Sequence, residues 1–202
     1  MSAPADCGEF GFTLAELLIA VTLFVLVFAA ILAFCSSSFR SSADLVAEGL
    51  VQSDLRMLEH ALSKASGNAT FVESPSTGTL SVSELCLWEN VSSDDGTSAL
   101  TAGARRFSRF CRTGGGQVFL HQGGFPRPSF ACGSPAPGVD VTALVGGDSA
   151  QVSAALVFQR PAGESNVVLV DYQLYLPARA ARRGVAVQGS LQLNIQGAID
   201  LP

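Results

Sequence analysis

"EFGFTLAELLIAVTLFVLVFAAILAFC", residues 9–35, decides the fold of this 202-residue chain. From Leu17 to Cys35 it runs 19 residues interrupted only by Thr22, and at about 1.5 Å per residue a helix of that length reaches about 28 Å, close to the hydrocarbon thickness of a bilayer. A core helix of a soluble domain normally keeps one polar face, and this stretch has none over five turns. A secretory signal would carry a shorter apolar region led by Lys or Arg and closed by a small-residue cut. Here the next residues, "SSSFRSSADLVAEGL", continue as helix. The segment therefore reads as a permanent membrane span.

Moving outward from it, residues 36–67 contain no proline, and Ala47, Val51, Leu55, Leu58, Leu62 and Ala65 recur at steps of three and four. Asp44, Glu48, Asp54, Glu59 and Lys64 fall largely on the other faces, so this second half is amphipathic. We expect one helix of about 50 residues, its first half in lipid and its second against a globular body. "SGNATFVESPSTG" ends it with Gly67, Pro75 and Gly78. Beyond, "TLSVSELCLWENV" predicts one or two strands, "SSDDGTS" a turn, and "GGGQVFLHQGGFPRPSFACGSPAPG" one short strand in Gly- and Pro-rich loop. "SAALVFQRP", "NVVLVDYQLYLP" and "VAVQGSLQLNIQGAI" are strands, the last alternating through Val187, Gly189, Leu191, Leu193 and Ile195. The expected class is α+β, a long amino-terminal helix packed on an antiparallel sheet.

Charge narrows the partners. Twelve Lys and Arg against 17 Asp and Glu leave a net charge of −5, which excludes a general attraction to nucleic acid or an anionic membrane surface. "ARRFSRFCR" nevertheless sets Arg105, Arg106, Arg109 and Arg112 among Phe107 and Phe110, the basic and aromatic mixture that single-stranded nucleic acid favours. The plainer expectation is a strand whose arginines are solvated or paired with acids, and we adopt it. Before the apolar run there is no Lys or Arg, only Asp6 and Glu9, and Arg40 is the first positive residue after it; the positive-inside bias alone would place the amino terminus outside.

Gly11, Phe12, Thr13, Leu14, Ala15 and Glu16, with the apolar helix directly after them, resemble the class III signal of type IV pilins and of the pseudopilins of type II secretion. "LVQSDLRMLEHALSKAS" and "VVLVDYQLYL" resemble the helix end and a later strand of minor subunits of the J and W types. The resemblance implies a pilin-like fold with residues 1–11 as leader, 12–35 as transmembrane half-helix, 36–67 as amphipathic half and 68–202 as a periplasmic β-rich domain. It implies cleavage between Gly11 and Phe12 by a prepilin peptidase on the cytoplasmic side of a bacterial inner membrane, opposite to the orientation the charge bias alone suggests. It further implies N-methylation of Phe12, and then assembly with other pilin or pseudopilin subunits on an inner-membrane platform. Two features depart from the pattern: the leader "MSAPADCGEFG" lacks basic residues, and Ala33 stands where many major pilins have a helix-bending proline.

Glu16 needs a physical account, because a carboxylate within an apolar helix costs on the order of 2.5–3.5 kcal/mol near the bilayer centre. No Lys or Arg lies within the run, so the cation this chain can supply is the amine of Phe12 that cleavage creates. The resemblance implies a salt bridge between Glu16 and the Phe12 amine of a neighbouring subunit. Competing functional readings are a minor pilin displayed at a filament tip for adhesion or DNA uptake, and an unrelated single-pass anchor of a periplasmic domain.

The remaining residues point to no chemistry. Cys7 lies in the leader and Cys35 at the membrane edge; among Cys86, Cys111 and Cys132 an oxidising periplasm permits three pairings, of which Cys111 with Cys132, closing a Gly- and Pro-rich loop, is preferred. No C-x-x-C occurs and His60 and His121 stand isolated in sequence, so neither a metal site nor any cofactor is expected. Asp94 and Asp95 are too few for calcium. Asn68-Ala69-Thr70 and Asn90-Val91-Ser92 match glycosylation acceptors by chance. No nucleophile, base and orienting residue can be assembled, and we expect no enzyme.

Overall fold

A computed structural model describes residues 13–81, 83–92, 98–101, 103–147, 152–164, 166–177 and 184–195. The leader with Gly11 and Phe12, and the acidic pair Asp94 and Asp95, lie outside these. Helix α1 (Leu14–Asn68) contributes to both of the compact units into which the chain divides, residues 1–43 and 44–202.

In the first unit the helix is apolar on every side from Leu17 to Cys35, and none of its most hydrophobic window is buried by protein. Leu17, Phe24, Leu26 and Phe34 are all more than half exposed. Apolar surface of this extent is not left in water by a stable chain, and its length suits a membrane span.

In the second unit the stripe read from the sequence turns inward: Ala47, Val51, Leu58, Leu62 and Ala65 are buried, and Leu55 is half-buried against them. They meet two antiparallel sheets, where one had been expected. The first has the order β1 (Phe71–Ser74), β3 (Glu84–Glu89), β4 (Arg106–Arg112), β5 (Val118–Gly124), β6 (Val139–Val145), and the second β2 (Leu80–Ser81), β7 (Ser153–Gln159), β8 (Val167–Leu176), β9 (Val185–Asn194). One core joins the helix to both sheets, through Leu85, Leu87 and Phe110 of the first and Leu156, Phe158, Val170 and Leu174 of the second. The sheets separate because β2 leaves its chain neighbours to pair with β7. They are held together where Arg112 Nε donates to Ala154 O at 2.6 Å and Ala154 N donates to Gly116 O at 2.7 Å.

Two strands had no reading of their own in the sequence. β1 falls in "FVES", four residues whose pairing comes wholly from β3, with Phe71 opposite Trp88 and Val72 opposite Leu87. β6, "VDVTALV", is an edge strand whose one partner strand among the described residues is β5. "VAVQGSLQLN" behaves as its alternation predicts, with Val185, Val187, Leu191 and Leu193 toward the core.

Polar groups from the helix's flank fasten it to the sheets. Gly146 N donates to Asp54 Oδ2 at 3.1 Å, and the Tyr172 hydroxyl donates to Glu59 Oε1 at 2.6 Å. The bond to Glu59, and after it burial, raises the Tyr172 phenol to about 12. Since an unfolded tyrosine ionises near pH 10, the stabilisation from this bond is complete below about pH 10 and is lost as pH rises through the folded value. Phenolate absorbance that disappears in Tyr172→Phe should therefore develop near pH 12. In Glu59→Gln the same absorbance should move back toward about pH 10; equal titration in parent and Glu59→Gln would refute the bond.

Candidate functional site

The helix start is built by its own residues. Thr13 N and Thr13 Oγ1 both donate to Glu16 Oε2 at 2.9 Å, and Glu16 N donates back to Thr13 Oγ1 at 3.3 Å. This is a capping box, in which Thr at the cap and Glu three residues on satisfy each other's backbone donors. The carboxylate thus has hydrogen-bond donors before any cation reaches it, and both belong to Thr13. The Thr-x-x-Glu spacing was legible in the sequence, where Thr13 had been given no separate role. Phe12, the other proposed partner of Glu16, lies outside the described residues.

The arginines of "ARRFSRFCR" separate by strand geometry. Phe107 and Phe110 are both buried, Phe110 in the main core and Phe107 in a second cluster with Cys86, Trp88 and Val91. Neither presents a stacking face. Arg109 pairs with Glu84 at 2.6 Å and donates to Phe130 O at 3.0 Å, while Arg112 is spent on Ala154. Arg105 lies over the Phe125 ring, 3.6 Å from its centre.

The second cluster marks the other face of the first sheet. The register sets Glu84 opposite Cys111, Cys86 opposite Arg109, and Arg109 opposite His121. Residues 125–134 lie across this face: the Phe130 ring is 4.7 Å from His121 and 6.3 Å from Phe107, and Cys132 is disulfide-bonded to Cys111 with Cα atoms 5.7 Å apart. Arg127 reaches Glu73 Oε1 at 2.9 Å, and Glu73 Oε2 accepts from Trp88 Nε1 at 2.8 Å and from Cys86 Sγ at 3.1 Å. Burial, followed by the charge of Glu73, pushes the Cys86 thiol far up, so it is an inert buried thiol.

His121 is not isolated, as its sequence context suggested. It is completely buried, its Nε2 accepts from Gly133 N–H at 3.1 Å, and it groups with Cys111 and Cys132, the ligand atoms of the three lying within 4.8 Å of one another. Burial, and after it the positive charge of Arg109, hold its imidazole below the usual range, in the neutral form. No sequence spacing signals this group, because strand register and a closing loop assemble it.

The Asn90 side chain is fully engaged, Nδ2 donating to Gly103 O at 2.7 Å and Oδ1 accepting from Thr101 N at 2.8 Å. Thr70 Oγ1 donates to Val91 O at 2.8 Å and accepts from Val91 N at 2.9 Å. These residues of the two glycosylation-like triplets thus serve the fold.

The fold and this geometry define a class: an α+β protein with one amino-terminal helix long and apolar enough to cross a membrane. Comparison with protein-family models, with curated proteins and with solved structures gives no match.

Proposed function

We propose that this chain is a minor pilin or pseudopilin, a structural subunit of a type IV pilus or of a type II secretion pseudopilus. The observation that carries the proposal is helix α1. It is apolar on all sides from Leu17 to Cys35, directly after Glu16, and it becomes the amphipathic core element of a β domain within the same 55 residues; in the sequence Gly11 and Phe12 stand just ahead of it. A plain anchor needs no such continuity, whereas a filament subunit uses the apolar half first in lipid and then against neighbouring helices. The precursor would sit in a bacterial inner membrane with its β domain in the periplasm. A prepilin peptidase cuts after Gly11 and methylates Phe12, and the new amine meets Glu16 of an adjoining subunit in a filament raised on the inner-membrane platform.

Phe107 and Phe110 are buried and offer no stacking face to a DNA strand, whereas Phe125 beneath Arg105 is exposed; helix α1 is what favours filament assembly over the tip-displayed reading. Intact-mass measurement on membranes from cells with and without prepilin peptidase tests the proposal. With the enzyme the chain should lose residues 1–11 and gain one methyl group; an unchanged mass would leave only a single-pass anchored domain.

A further inference from the structure

We propose that Cys111, Cys132 and His121 form a binding site for a thiolate-preferring divalent ion of the zinc class when the disulfide between the two cysteines is opened. The ligand types are those of tetrahedral zinc, and their ligand atoms already lie within 4.8 Å of one another. With Zn–S near 2.3 Å, tetrahedral ligands stand about 3.8 Å apart, so after the sulfur–sulfur bond breaks the thiolates reach the ion by side-chain rotation. Strand pairing holds the first two donors in place, since Cys111 on β4 and His121 on β5 are diagonal neighbours on one face, Cys111 opposite Phe119 and His121 opposite Arg109. Cys132 is tied in from the covering loop.

A second observation points the same way. His121 Nδ1 is buried and has no hydrogen-bond partner among the described residues. A histidine kept only for packing would not normally strand a ring nitrogen out of water. Because Nε2 accepts from Gly133 N–H, the neutral ring carries its proton on Nδ1, and that buried N–H lacks an acceptor among the described residues; ligation at Nδ1 uses the other tautomer, with the Gly133 bond given up. Two thiolates balance the charge of the dication, and Arg109, opposite His121, is itself neutralised by Glu84 at 2.6 Å. Three protein ligands leave a fourth position for water, on the side of Cys132, the one of the three that is not fully buried.

The step balances with a dithiol reductant: it gives two electrons and two protons to the disulfide and becomes a disulfide itself. The ion then displaces the two cysteine thiol protons to solvent, and as Nδ1 of His121 takes the ion its proton moves to Nε2, which releases the Gly133 bond. Each state uses both sulfurs, so the disulfide and the bound ion exclude each other.

The test uses the full chain in detergent micelles, opened with a water-soluble phosphine and titrated with cobalt(II). The reduced chain should bind one cobalt with tetrahedral ligand-field bands and a sulfur-to-cobalt charge-transfer band, both erased by zinc; the oxidised chain should show neither. His121→Gln retains an acceptor for Gly133 N–H but not a ligand. Loss of an outer-shell partner alone weakens metal sites about ten- to a hundredfold, so this variant should weaken cobalt by about a hundredfold or more. Cys86→Ser should bind as the parent does. The proposal is overturned if the reduced chain takes up no cobalt, if Cys111→Ser/Cys132→Ser gives the parental spectrum, or if a folded His121→Gln binds equally well. Should His121→Gln lose its circular dichroism, the double serine variant, which lacks the disulfide just as the reduced parent does, decides.

Discussion

A chain carrying Glu16→Gln is expected to be cut before Phe12 as the parent is and to fail in filament assembly. The substitution separates two roles that alanine would remove together. Glutamine can still accept from Thr13 N–H and Thr13 Oγ1, as Glu16 Oε2 does at 2.9 Å, so the capping box survives and the helix begins where it should. What is lost is the charge. In Glu16→Gln the neighbour's Phe12 amine is left in lipid without its counter-charge; the cost of a lone charge, on the order of 2.5–3.5 kcal/mol at the bilayer centre and less toward the interface, bounds the loss in subunit incorporation at roughly a hundredfold. Glu16→Ala should show the same assembly defect and also lose the half of the capping box that Glu16 supplies to Thr13, while Thr13 Oγ1 still accepts from the backbone N–H of residue 16. Filament yield or secretion measured beside precursor cleavage separates the outcomes. Normal assembly in Glu16→Gln with failure in Glu16→Ala would make Glu16 a capping residue only, and normal assembly in both would remove it from the mechanism.

The second large effect lies in the β domain. Leu58 is fully buried on the inward face of α1 among side chains from both sheets, while its chain neighbour Met57 is 47% exposed. Leu58→Ala should destabilise the domain by about 2–5 kcal/mol, combining the lost transfer energy with a cavity that helix and sheets cannot close. Met57→Ala should change stability by less than about 0.5 kcal/mol. Denaturant unfolding of the full chain in detergent, monitored by the fluorescence of its single tryptophan, Trp88, checks both. Trp88 sits in the second cluster and reports the same sheet from its other face. Equal effects at the two positions would mean that this part of the helix is not seated on the sheets.

Much of the fold was legible because it is dictated by periodicity. The stripe from Ala47 to Ala65 is a property of 3.6 residues per turn, and the alternation from Val185 to Leu193 a property of the pleat. Both can be read without any knowledge of contacts, whereas the sequence left three cysteine pairings open and the structure selects the preferred one, Cys111 with Cys132. β1 and β6 escaped because short or edge strands carry little pattern and draw their order from a partner strand. The second sheet escaped for a related reason: whether β2 pairs with β3 or with β7 is a choice between surfaces distant in sequence.

The site divides along the same line. Gly11, Phe12 and Glu16 are local features, and so is the Thr13 cap, since each depends on residues within a few positions. The group of Cys111, His121 and Cys132, and the Glu73, Cys86, Trp88 and Arg127 cluster beside it, have no local signature. By itself the sequence determined an apolar helix without a polar face, its amphipathic continuation and a β domain, because each is imposed by the chain's own helical or pleated geometry. Only the tertiary structure decided which arginines are paired, which phenylalanines are buried and where His121 finds two sulfurs, because strand register and the closure of residues 125–134 bring those groups together.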